Sequence, residues 1–300
     1  MDKQSVLARL LAALSVLAVV AAVYWFGVRS YQLQWGATAE EIQRPMPGDE
    51  LDPDPAFLST RAITIDAAPQ AIWPWLLQMG YGRAGFYGYD ILENVGSPRG
   101  MASADRIMSE FQGFVVGDVV PISSVAQEVF YAIQPDEYLI WAGESGEYPG
   151  GFTWALYPLD AQHTRLVVRI RWSHHGLSQP GLLSLDLFTE LTDHIAVRKI
   201  LHGIQGRVEG HIEPAWVANA EFSVFVLAAM VFLAALILLL LRPFTWPGWL
   251  AALAAGLGWL ATWYAPLPWW AGGFLELLLL AGLFGFGFKI VKLGRGKAAG

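Results

Sequence analysis

Four apolar stretches, residues 10–28, 222–241, 246–264 and 269–288, constrain this chain more than anything else in it. Each is 19 or 20 residues long, enough to cross a ~30 Å hydrocarbon core at about 1.5 Å per residue. The first three hold no Asp, Glu, Lys or Arg and the fourth holds only Glu276, which argues against helices of a soluble core. With 55% hydrophobic and 15% charged residues and a mean hydropathy of +0.41, the 300-residue chain is too apolar for an ordinary soluble protein. The expectation is an integral membrane protein with four transmembrane helices, one N-terminal and three C-terminal. Residues 1–29 form the N-terminal anchor and 214–300 a three-helix region with a basic tail.

Basic residues near span ends favour the cytoplasmic side. Lys3, Arg9, Arg242, Lys289, Lys292, Arg295 and Lys297 all fall on one side of a four-span arrangement. That puts both termini inside a bacterial-type plasma membrane and the large segment 29–221 outside. A cleaved signal peptide is disfavoured, because the first apolar run exceeds a ~7 to 15 residue signal core and Ala37-Thr38-Ala39 lies too far along to serve as its cleavage site. Glu276, costing roughly 2.5 to 3.5 kcal/mol to insert, is expected near the outer interface, with no good partner in the sequence.

The absence of cysteine removes disulfides, thiolate zinc sites and cysteine nucleophiles together. Segment 37–218 carries 23 of the 26 acidic residues against 11 Lys and Arg. An acidic soluble portion excludes nucleic acid as a partner, since phosphate contacts need clustered Lys and Arg.

Between the first two spans, the Pro- and acid-rich run at 44–55 reads as part of an extended linker over 30–58, and a globular domain spans 59–213. A short strand at 60–66 precedes a helix from Pro69 to Met79 bent at Pro74, then a short helix near 89–93 and another at 103–111 capped by Ser103. From Asp118 the period changes to two, giving strands at 119–122, 128–134, 138–142, 152–159 and 165–173. In the last, Leu166, Val168, Ile170 and Trp172 share one face and Arg165, Arg169 and Arg171 the other, which predicts a sheet with one wet face. A long helix from Leu182 to about Gly210 covers the dry face. The sum is an α+β layer.

The runs Trp35-Gly-Ala-Thr-Ala-Glu-Glu, Arg44-Pro-Met-Pro-Gly-Asp, Thr60-Arg-Ala-Ile-Thr-Ile-Asp-Ala, Ile72-Trp-Pro-Trp-Leu-Leu-Gln-Met-Gly, Gly85-Phe-Tyr-Gly-Tyr-Asp-Ile-Leu-Glu-Asn, Ser103-Ala-Asp-Arg-Ile and Lys199-Ile-Leu-His-Gly-Ile occur in order. Over residues 35–210 they resemble bacterial membrane-linked members of the SRPBCC superfamily, the START and Bet v 1-like group that includes polyketide cyclase and dehydrase-like proteins. The resemblance implies a helix-grip fold, an antiparallel sheet wrapped around a long C-terminal helix and a deep apolar pocket. It implies no catalytic residues, because the superfamily shares a cavity rather than a reaction. The three C-terminal spans are an addition to the plain domain, and His202 stands where an apolar residue is expected.

Gly80-Tyr-Gly82-Arg-Ala-Gly85 matches G-x-G-x-x-G but follows a helix and enters an aromatic loop, so it reads as a tight turn and not a dinucleotide site. Glu190, Asp193 and His194 at i, i+3 and i+4, with His174 and His175 nearby, have metal-like spacing. Their helical positions divide them, Glu190, Asp193 and Asp186 falling on a solvated acidic face and His194 beside Leu187 and Leu191, so no metal and no cofactor is expected. Tryptophan is more plentiful than a small core needs, and a lipophile pocket is expected to use Trp73, Tyr89, Trp141, Trp154, Trp172 and His194. The expected function is a membrane-anchored domain binding a lipophilic small molecule or lipid. The alternatives are a cyclase or dehydratase acting on a polyketide-like or isoprenoid substrate, with His194 or a tyrosine as acid and base, and a non-catalytic partner-binding ectodomain.

Overall fold

The computed structural model describes residues 3–94, 102–143, 150–173, 179–265 and 267–296, with side chains described except at 3–5, 179–189 and 284–296. Two compact units emerge, Tyr31–Asn219 and a second made of Met1–Ser30 with Ala220–Gly300.

In the first unit, period-two sequence forms six antiparallel strands: β1 (Phe57–Ile65), β2 (Val119–Pro121), β3 (Gln127–Gln134), β4 (Tyr138–Ala142), β5 (Gly150–Pro158) and β6 (Thr164–Trp172). They lie in the order β1-β6-β5-β4-β3-β2. The expected strands are all present, and the first and last pair along their whole length from Phe57↔Trp172 to Ile65↔Thr164. Side-chain alternation gives the sheet an inner and an outer face. The inner face carries Phe57, Ile63 and Ile65 on β1, Leu166, Val168 and Ile170 on β6, Trp154 and Leu156 on β5, and Leu139 and Trp141 on β4, all in one core with helices α4 (Pro69–Leu77) and α6 (Gln179–Val208). From α6 the core takes Val197, Ile200, Leu201 and Ile204. This six-strand sheet with a long C-terminal helix laid on one face is the layout expected of a helix-grip domain.

Gly203 is what lets α6 seat so closely, since a Cβ there would collide with the Tyr87 carbonyl oxygen. Tyr87 itself adopts φ 66° in the loop after Gly85. The Gly80–Gly85 turn closes on a backbone bridge between its two end glycines, as a tight loop requires.

Three expectations are corrected. The outer face is not wet. Residues 35–52 fold over it as a strap containing α3 (Ala39–Gln43), whose Thr38–Glu41 capping box fixes its start. Met46 packs on Ala62, Ala155 and Val167, so the stretch expected as an extended linker is part of the domain. The three arginines of β6 fasten it. Arg165 pairs with Glu41 at 2.7 Å, Arg169 with Asp49 at 2.8 Å and Arg171 with Asp49 at 3.0 Å. Residues 103–111 are not a helix beyond the short turn Ser109–Phe111, because tertiary partners claim their backbone: Ala104 N–H donates to the Ala84 carbonyl, and the Gln78 side chain accepts from Met108 N–H and donates to the Arg106 carbonyl.

The second unit contains α1 (Lys3–Val23), which continues through a wider π turn at Tyr24–Val28 toward α2 (Arg29–Leu33), then α7 (Ala215–Leu241), α8 (Trp246–Tyr264) and α9 (Trp269–Gly296). Two of the four expected spans correspond to helices long and apolar enough to cross a membrane, Val6–Leu33 at 28 residues and Ala215–Leu241 at 27. The other two fall short of that standard. Trp, Gly, Pro and Tyr dilute the apolarity of α8, and the described apolar part of α9 is the shorter stretch Trp269–Leu283. Small residues do serve helix contact, since Gly256 abuts Val20 and Phe232 with no room for a side chain. Glu276, expected to have no good partner, has one. It is 0% exposed and accepts a hydrogen bond from Thr262 Oγ1 at 3.1 Å, a partner on the neighbouring helix.

Candidate functional site

The inner face of the sheet ends in a continuous aromatic surface, because strand register places large rings in adjacent rows. Phe130, Trp141, Phe152 and Ile170 follow one another across β3, β4, β5 and β6, and Leu139, Trp154 and Val168 form the next row. The Phe57 ring stacks on Trp172 at 4.6 Å and 16°. Trp172 meets Phe152 at 6.0 Å, Phe152 meets Trp141 at 6.2 Å, and Trp141 meets Trp154 at 5.4 Å and the edge of Phe86 at 6.3 Å. These six rings, in contact through Phe152 and Trp141, form one aromatic layer of the core with flat, polarizable faces and few polar atoms.

Two of these rings carry an anomaly. Trp141 and Trp154 are each 1% exposed, and neither indole N–H has a hydrogen-bond partner among the described residues. A buried donor left unmet costs about 1–3 kcal/mol.

Of the residues expected at the site, Trp141, Trp154 and Trp172 are thus brought together. Trp73 belongs to the core on α4, at 8% exposure. Tyr89 is buried at 1%, with Lys199 Nζ 5.4 Å from its ring centre. His194 is buried elsewhere, 6.2 Å from the Tyr31 ring, with Nδ1 at 3.2 Å from the Gln32 carbonyl. Phe57, Phe86 and Phe152 complete the aromatic surface. Their strand parity with Ile63, or with Trp154, was the available signal for Phe57 and Phe152, while Phe86 had none beyond its loop.

His194 sits in a buried polar network linking the start of the domain, β1 and α6. Arg61, 0% exposed, donates to the Gln32 carbonyl at 2.8 Å and Ser59 Oγ at 3.1 Å and forms an ion pair with Asp193. Gln32 Nε2 donates to Glu190 at 3.1 Å. Glu190 and Asp193 are therefore buried structural partners, correcting the solvated acidic face expected of them. Burial, with Arg61 and Arg198 close by, drives the His194 pKa down to about 2, so at neutral pH it is a neutral imidazole and a poor base. Burial also raises the Tyr87 phenol well above its ordinary range. His174, His175, Asp186 and Leu187 lie outside the described side chains.

A third cluster shapes the loop that delivers Phe86. The Glu93 carboxylate accepts from Phe86 N–H at 3.1 Å and Gly88 N–H at 3.0 Å. Asp90 accepts from Ser103 Oγ at 2.7 Å, and Ser103 Oγ in turn accepts from Tyr87 N–H. Burial, reinforced by the charge of Asp90, pushes the Glu93 pKa up to about 7 against the two backbone donors.

No protein-family model and no curated protein matches the sequence. Among solved structures, the chain is similar to the Polyketide_cyc-like protein Cgl2372 from Corynebacterium glutamicum, at 14% identity and a TM-score of 0.31, covering 51% of this chain and 91% of that one. The Zhui aromatase/cyclase from a Streptomyces species gives 12% identity, a TM-score of 0.30 and coverage of 53% and 97%. The self-sacrificing resistance protein CalC from Micromonospora echinospora gives 11%, 0.29, and 52% and 96%.

Proposed function

We propose that the Tyr31–Asn219 unit binds a lipophilic small molecule or lipid on its inner aromatic surface, as the ligand-binding domain of a membrane-anchored protein. The observation that carries this is the run of rings from Phe57 to Trp154 with two indole N–H groups buried and unmet. A core evolved only for packing would bury leucine and phenylalanine there without cost. Tryptophan adds a donor that needs an acceptor, and a ligand supplies one.

Two helices of sufficient length and apolarity support anchoring. Basic residues at 3, 9 and 242 favour a cytoplasmic N-terminus with the domain outside. Anchoring also suits the ligand, since a lipophile taken from lipid need not cross water. Single cysteines introduced at the exposed Gly113 and at Lys297 report sidedness in intact cells, the chain having no native cysteine. An impermeant thiol reagent reaching position 297 and not 113 would reverse the orientation.

Native mass spectrometry of the full chain in detergent, with extraction of bound lipophiles, tests the binding itself. Trp154→Ala and Trp172→Ala should deplete the co-purifying species, whereas Leu159→Ala, at a site 60% exposed, should retain it. Equal retention by all three variants would remove the aromatic surface from the function.

A further inference from the structure

The helices of the second unit leave an apolar groove between α1 and α8. Small residues open it on α1, where Ala8, Ala12 and Ser15 leave space beside Leu11, and Phe244, Trp246 and Trp249 wall its other side. Its volume is about 370 Å³, within the range of ordinary ligand sites. It opens outward, since Leu11 is 57% exposed, Phe244 47% and Trp246 69%.

Three contacts place this groove along the bundle. Trp249 Nε1 donates to Ser15 Oγ at 2.8 Å, Gly256 abuts Val20, and the rings of Tyr24 and Tyr264 lie 6.0 Å apart. Partners advance in step, from 15 to 24 along α1 and its π turn and from 249 to 264 along α8, so the two helices run parallel. Their first turns therefore share one end of the bundle. At that end Arg9 Nη1 donates to the Leu240 carbonyl, at the end of α7, at 3.2 Å. From Ala8 to Ser15 the groove reaches about 10 Å along the helix axis, at 1.5 Å per residue.

The polar atoms say what fills it. Ser15 Oγ has both its roles taken, donating to the Ala12 carbonyl at 2.8 Å and accepting from Trp249. No lining residue leaves a buried side-chain polar atom unmet among the described residues. The interior thus suits CH₂ groups and offers a polar head nothing to bind. Charge stands at its mouth instead: Arg9 adjoins Ala8, and Arg242 precedes Phe244 by two residues. The sequence around them, 3–39 and 222–275, carries no acid, so the local charge is positive. Its complement is a phosphate head group, which in a bilayer arrives with apolar chains attached. The amphipathic ring of Trp246 suits the boundary between the two.

We infer that the groove between α1 and α8 holds an acyl chain of an anionic phospholipid, drawn from the leaflet where both helices begin, with its phosphate beside Arg9 and Arg242. The inference rests on the membrane-anchored reading above and is independent of the domain's inner face.

Native mass spectrometry of the full chain tests it, with protein delipidated in detergent and titrated with dioleoylphosphatidylglycerol or dioleoylphosphatidylcholine. The two probes share their chains and differ in head-group charge. Phosphatidylglycerol should bind roughly fivefold tighter, the worth of about one basic residue near a membrane surface, and Arg242→Gln should remove most of that preference. Ala8→Phe fills the groove and should weaken phosphatidylglycerol binding about tenfold, the worth of roughly two buried CH₂ groups. Ala22→Phe, at an exposed position of α1 outside the groove, should leave it unchanged. Equal affinity for the two lipids, or a preference untouched by Arg242→Gln, would overturn the inference at the head group. Binding in Ala8→Phe within twofold of the parent would overturn it at the groove. Recovery of the full chain as soluble protein without detergent, binding neither lipid, would overturn the membrane-anchored reading itself.

Discussion

Replacing Arg169 by methionine isolates what holds the strap over residues 35–52 to the outer face of the sheet. Methionine keeps most of the apolar stem and removes the guanidinium. Arg169 is 3% exposed and spends four of its five hydrogen bonds on the strap: the carbonyls of Glu41, Ile42 and Arg44 and the carboxylate of Asp49. Every one has a charged donor, and at about 1.5 kcal/mol apiece, the low end for such bonds, they sum to roughly 6 kcal/mol. That figure is a ceiling, since a freed strap can hydrate its carbonyls and Asp49 keeps Arg171 Nη2 at 3.0 Å. We expect the local opening free energy of the strap to fall by about 3 kcal/mol, in line with breaking a buried pair from one side. Hydrogen exchange by mass spectrometry on the full chain reads this directly, because the Met46 amide, bonded to Asp49 Oδ2 at 3.0 Å, should exchange more than a hundredfold faster while the β5–β6 amides hold. Strap exchange within threefold of the parent would refute the reasoning and transfer its stability to Met46 and its apolar neighbours. Acceleration spread equally over β5 and β6 would refute the claim that the strap opens as its own unit.

The remaining predictions concern α6, a titrating carboxylate and the buried ion pair. Gly203→Ala, which in an isolated helix gains about 1 kcal/mol, should destabilise the domain, since the new Cβ collides with the Tyr87 carbonyl; an unchanged or raised Tm would contradict this. Glu93 has its folded pKa raised from 4.5 to about 7, so its stabilising contribution is complete below pH 4.5 and is lost as pH rises through 7, by at most about 3 kcal/mol before solvent screening at its partly exposed edge. Glu93→Gln should flatten the Tm profile between pH 5 and 8, and a profile as steep as the parent's assigns the slope to other groups. Arg61→Met should cost about 3–5 kcal/mol by stranding Asp193, whereas Arg61→Met with Asp193→Leu should recover most of it, and a double variant no more stable than the single would show that the pair earns more than its own desolvation.

The sheet was legible because strand alternation is a local signal. Leu166, Val168, Ile170 and Trp172 were expected on one dry face, and that face is the inner one. The opposite face misled for the same reason. Three arginines on alternate positions look solvated, and only pairing across more than a hundred residues, to Glu41 and Asp49, shows that they are covered. A Pro-rich acidic run offers no periodicity from which such docking can be read. Residues 103–111 failed differently, since Ser103 is a good helix cap by type but its hydroxyl is engaged with Asp90 and Tyr87. Glu276 found its partner in Thr262, whose hydroxyl carries no mark in an apolar span.

The site was legible in its aromatics and not in its polar groups, and Arg61 shows why. Period two along β1 puts Arg61 on the side of Ile63 and Ile65, so a charge on the dry face was already visible in the sequence. Its consequence was not, because a buried charge is tolerable only with a partner, and Asp193 looked solvated at i+3 from Glu190. Helical spacing says which residues share a face, but not whether that face meets water or another element. Here α6 turns Asp193 to Arg61 and Glu190 to Gln32, while one to two turns on it offers Val197, Ile200 and Leu201 to the core. Apolar contact alone is non-directional and would let the helix slide along the sheet. The ion pair and the Gln32 bonds fix its register against β1, and that register holds the Arg61 guanidinium in the same cross-strand row as Trp154. The residues with metal-like spacing thus act through position: they hold the Arg61 guanidinium with three of its N–H groups engaged and its Nη2 without a hydrogen-bond partner among the described residues.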